Sequence, residues 1–153
     1  MKKQLSFLLL LFISLHSFGQ EEFVALEKKE DYKKAEPIVQ NVVDFLLSNP
    51  TTFKEEVRKA GYAFVIKWMS GTPDHTFSIS AEGMNLLNSD EDYLAMYMAA
   101  QTKFAFDNLD KKLTPVEIEK GGIVLFFEYC ANPVNEMKFT KGMKKYLKKN
   151  KLQ

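Results

Sequence analysis

At 153 residues, with 21 basic against 20 acidic side chains, the chain has the length of one domain and no net charge that would select a polyanionic or polycationic partner. A single Cys excludes an intramolecular disulfide. With only two His besides it, the chain lacks the soft ligands of a closed zinc site, which takes about four.

Lys2 and Lys3 precede an apolar run from Leu5 to Leu15, and Ser17-Phe18-Gly19 puts small residues at the −3 and −1 positions of a cleavage site. The run is shorter than the roughly 20 residues a spanning helix needs. Residues 1–19 are therefore expected to be an export leader. Residues 20–153 are expected to be one soluble domain, periplasmic or secreted, without a transmembrane segment.

Glu21 to Lys34 is highly charged and reads as a mobile or weakly helical lead-in. Pro37 suits a first helical turn, and Ile38, Val39, Val42, Val43, Leu46 and Leu47 then recur at helical spacing until Asn49-Pro50. Thr52-Phe53-Lys54-Glu55 has the pattern of a capping box. Phe53, Val57, Ala60, Phe64, Val65 and Trp68 mark one face of the helix it opens, with Gly71 placed as a left-handed cap and Pro73 as a stop. Thr76 to Ser80 alternates polar and apolar with no strand to pair with. It reads as a covering loop that turns Phe77 and Ile79 inward, followed by a short helical turn with Met84, Leu86 and Leu87 inward.

Ser89, followed by three acids, reads as the cap of a helix with Tyr93, Met96, Tyr97, Ala100 and Phe104 on one face. Thr114-Pro115-Val116-Glu117 is a second capping box. It leads into a helix whose Gly121-Gly122 would permit close approach of another backbone, with Ile123, Phe126, Phe127 and Cys130 on one face. After Asn132-Pro133, one or two short helices run into a lysine-rich end, frayed over 148–153. The fold expected is all-α: a single-domain bundle of about five helices with one extended covering loop over residues 72–80.

Little in this pattern carries chemistry. His75 beside Asp74 suggests acid–base work or a metal, but the other residues such sites need are missing, and a turn residue is the reading adopted. Cys130, on an apolar helix face near a C-terminus, reads as a buried core thiol. The acids at 90–92, 107 and 110 lack the glycine and terminal glutamate of a calcium loop. No phosphate-binding glycine loop, dinucleotide fingerprint or nucleophile elbow is present. Trp68, Phe77, Phe104 and Phe127 could line a pocket for an apolar molecule. Lys144, Lys145, Lys148 and Lys149 could contact a polyanion. Arg58 is the only arginine, so bidentate reading of nucleic acid is not expected.

Lys67-Trp68-Met69-Ser70-Gly71-Thr72-Pro73, Tyr97-Met98-Ala99, the helix end at Tyr129–Asn132 and Tyr146-Leu147, behind a leader ending Phe18-Gly19-Gln20, resemble a family of small exported helical proteins of Gram-negative bacteria. The resemblance implies a helical fold; no activity, cofactor or catalytic residue comes with it, and function is left open. The functional expectation is a non-enzymatic module, without cofactor or metal, that binds another protein or an envelope component. The alternative is a carrier of an apolar small molecule.

Overall fold

The computed structural model describes residues 25–87 and 90–151. The expected leader and the cap assigned to Ser89 lie outside them. Among the described residues every regular element is a helix: α1 Lys29–Ser48, α2 Glu55–Met69, the single turn α3 Ala81–Met84, α4 Glu91–Phe106, α5 Pro115–Ala131 and α6 Lys141–Asn150, with a 3-10 turn at Pro133–Asn135. This is the all-α bundle that the periodicity predicts. Residues 72–80 form the extended connection, and Phe77 and Ile79 are half-buried against the core.

Helix α4 is the centre of the bundle and packs on α1, α2 and α5. Its burial runs almost all the way round, through Ala95, Met96, Tyr97, Ala99, Ala100, Gln101 and Thr102, because small alanines let neighbours approach from several sides. Helix α5 takes the closest seat. A Cβ on Gly122 would lie 2.6 Å from Gln101 Cγ and 2.8 Å from Gln101 Cα, so the two backbones nearly touch. Gly121 faces the Phe104 ring. The helix continues through both glycines. Their intrinsic cost, about 1 kcal/mol each, is offset by this packing.

Three local readings are corrected. Helix α1 begins at Lys29 rather than near Pro37, and Asp31 accepts the Lys28 N–H at 2.9 Å in its first turn. Pro37 therefore sits inside the helix. It is exposed, so the carbonyl that loses its partner lies on the solvent side. Helix α2 has no capping box at Thr52: its cap is Lys54 in the left-handed region, at φ 49°. The Thr52 hydroxyl instead donates to Glu136 at 2.8 Å, and the Thr51 N–H donates to the Asn135 carbonyl, tying the α1–α2 connection to the turn after α5. Gly71 does not adopt positive φ. It is needed because the Tyr32 ring occupies the place of its Cβ.

The inward face of α2 is also rotated from the one expected. Phe64, Val65 and Trp68 are buried, but Phe53 and Val57 remain 42% exposed and Ala60 lies outside. Arg58 and Tyr62 take the inner positions instead. Met84 points outward, at 55% exposure, and Leu86 alone of its group is fully buried.

Helix α6 is docked by its first turn. The Asn85 carbonyl fills the space where a Gly142 Cβ would stand, and the Thr140 hydroxyl donates to the Leu86 carbonyl at 2.6 Å while capping the Met143 N–H. No described helix is long and apolar enough to cross a membrane.

Candidate functional site

Three polar arrangements stand out, and each is assembled from segments distant in sequence. The first is Arg58, 1% exposed. Its Nη1 donates to the Leu46 and Asn49 carbonyls at 3.1 Å each, and its Nε and Nη2 donate to the Tyr62 hydroxyl at 3.2 and 3.0 Å. Nη2 also approaches Met96 Sδ at 3.0 Å and the Tyr129 hydroxyl at 3.4 Å. These partners are all neutral. The charge is compensated by the C-terminal end of α1, whose last turn carries no basic side chain of its own. Tyr129 completes the cap by donating to the Asn49 carbonyl at 2.8 Å.

The second is Glu119, 5% exposed on α5. One of its carboxylate oxygens accepts the Ser80 N–H (2.7 Å), the Ser80 hydroxyl (2.9 Å) and the Tyr97 hydroxyl (2.7 Å). Ser80 in turn caps α3 through the Gly83 N–H. This arrangement fastens the covering loop to α5, and a serine engaged as a helix cap is not poised as a nucleophile. Burial, reinforced by the hydrogen bond to Glu119, pushes the Tyr97 phenol far above its ordinary range.

The third is a cleft of about 520 Å³ at the mouth of the covering loop. It lies between Lys33 and Glu36 of α1, the Asp74–Thr76 turn, and the stretch from Ala105 to Ile118 that joins α4 to α5. His75 lines it, and its ring packs against Trp68 (6.0 Å between centroids), Phe77 (6.1 Å) and Phe106 (6.1 Å, edge-on). His75 thus lies in the extended connection just after the bend at 73–74, packed among aromatic rings at the edge of this cleft.

The aromatics read as a possible pocket are distributed. Trp68 and Phe77 share the cluster behind His75. Phe127 sits in another, edge-on to Phe139 and Tyr146 at 5.6 Å each, and Phe104 lies on Gly121. None of the four lines the cleft. Lys144, Lys145, Lys148 and Lys149 are together on α6 and exposed, with the Lys149 amine 2.8 Å from Glu82.

Cys130 is 6% exposed, and burial pushes its thiol up to about 12; burial likewise pushes the Tyr129 phenol up to about 12 against the opposing pull of Arg58. Two results follow. The folded protein should not react with a thiol-specific disulfide reagent at pH 8 until it is unfolded, because the nucleophile is the thiolate. The unfolded chain releases these protons near the ordinary values of 9.0 and 10.0, so the stability present below about pH 9 should fall as the pH rises toward 12. Denaturation midpoints that stay flat from pH 8 to 11 would contradict this placement.

Comparison with protein-family models, with curated proteins and with solved structures gave no match.

Proposed function

We propose that the chain is an exported, non-enzymatic binding module of the bacterial envelope that docks on an anionic surface through α6. The build of that helix supports the reading. Met143 is buried and Tyr146 and Leu147 pack on the core, so the apolar side is already used. Lys141, Lys144, Lys145 and Lys148 project from the other side into solvent. Among the described residues, the acid paired with this face is Glu82, which takes up Lys149. A helix held by its cap and by Gly142 thus presents lysines as a fixed array, and compact ammonium groups serve as point charges for phosphates or carboxylates. The only guanidinium is buried at Arg58, which leaves the surface without the fork that reads bases or phosphates bidentately.

The test is co-sedimentation with phosphatidylglycerol-containing vesicles at low salt, against phosphatidylcholine vesicles. Lys144→Gln/Lys145→Gln/Lys148→Gln should weaken binding on the order of a hundredfold, at about 1 kcal/mol per lysine near the surface. Binding should also fade as salt shortens the screening length to about 10 Å near 0.1 M. Equal binding to both vesicle types, or none, would overturn the proposal.

A further inference from the structure

We infer that the cleft at His75 is a binding site for a small amphiphilic anion, an apolar chain carrying one carboxylate. Its volume, about 520 Å³, falls in the range of roughly 300–1,000 Å³ typical of small-ligand sites. Its walls are of two kinds. Ala105, Leu109, Leu113, Pro115 and Ile118 make an apolar wall, and Leu109 is left 60% exposed there rather than packed. Lys33, Lys111, Lys112 and His75 supply nitrogen groups beside it.

The charge balance favours an anion. Three lysines face two carboxylates, Glu36 and Asp74, and Asp74 is already paired with Lys33 at 3.8 Å. Lys111 donates to the neutral side-chain oxygen of Asn108 at 2.6 Å, which positions the amine without cancelling its charge. A free inorganic anion would use the amines and leave Leu109 and Leu113 wet. An alkane would cover the leucines and gain nothing from the charge of the lysines beside them. A carboxylate on an apolar chain serves both walls at once.

The site is also built before any ligand arrives, which lowers the ordering cost of binding. The His75 ring is held by three aromatic rings. Asn108 is anchored to α4 through the Phe104 carbonyl at 2.9 Å.

The experiment titrates the full chain with decanoate below its micellar concentration. It is followed by calorimetry, by emission of the single tryptophan, Trp68, and by NMR of the His75 ring protons. Saturable one-to-one binding that perturbs both signals is expected, with decanol, inorganic phosphate and decyltrimethylammonium each at least about tenfold weaker, the worth of one charge-assisted hydrogen bond. Lys111→Gln/Lys112→Gln alters two exposed side chains and should retain the thermal midpoint while weakening decanoate about tenfold. The Lys144→Gln/Lys145→Gln/Lys148→Gln variant should bind decanoate unchanged, which separates this site from the surface of α6. Decanol binding as tightly as decanoate, phosphate competing at equal concentration, or the Lys111/Lys112 variant binding undiminished would each overturn the inference, as would the absence of saturable binding.

Discussion

An Arg58→Met variant is expected to lose about 1–3 kcal/mol of stability, the cost usual for leaving a buried acceptor without its donor. Methionine restores much of the volume, so the loss isolates the polar part. The Leu46 and Asn49 carbonyls and the Tyr62 hydroxyl lose their cationic donor, and the end of α1 loses the positive charge that offsets its dipole. Arg58→Lys keeps the charge but offers one point of donation where the guanidinium serves two carbonyls and two phenols, so an intermediate loss is expected. Urea denaturation followed by far-ultraviolet circular dichroism measures both. A loss below about 1 kcal/mol for Arg58→Met, the level of an exposed ionic contact, would show that the guanidinium is not buried in solution.

This network also marks where sequence reading stops. The helices were legible because their signals are local. Thr114 and Glu117 are three residues apart and form their capping box as expected, and the stretch from Ser70 to Pro73 ends α2 where the pattern changes. The inner face of α2 was not legible in the same way. A hydrophobic stripe through Phe53, Val57 and Ala60 is the better local pattern, yet the helix turns Arg58 and Tyr62 inward. Their partners, Leu46, Asn49, Met96 and Tyr129, come from three other helices and their ends. One signal was available. A chain that uses lysine everywhere else and arginine once has placed a five-donor group where a single-point donor would fail.

The cleft was hidden for the same reason. Lys33, His75, Lys111 and Ile118 carry no common motif, and only the packing of α1 and the covering loop against the α4–α5 connection brings them to one cavity. Glu119 carries no local signal of burial: it is buried because Tyr97 and Ser80 arrive from elsewhere to satisfy it. One glycine behaved likewise. Gly71 suggested a backbone conformation and in fact answers to the Tyr32 ring, which no local rule places beside it.

Trp68→Ala is expected to cost about 3–5 kcal/mol, the range for emptying a fully buried aromatic site. Trp68 is completely buried, and its indole N–H donates to the Tyr32 carbonyl at 2.9 Å. Its ring lies 5.2 Å from Phe106, 6.1 Å from Phe77 and 6.0 Å from His75, between centroids. One side chain therefore joins the start of α1, the end of α2, the covering loop and the end of α4. Trp68→Phe separates the contributions: it keeps a ring against Phe106 but removes the indole donor to the Tyr32 carbonyl, a loss of about 0.5–1.5 kcal/mol. Thermal and urea unfolding of both variants checks the order, alanine well below phenylalanine and phenylalanine below the parent. Near-parental stability for Trp68→Ala would place the indole at the surface. Because His75 is braced by this ring, Trp68→Ala should also loosen the imidazole, so decanoate should bind Trp68→Ala more weakly than Trp68→Phe when both are compared under conditions where each is folded.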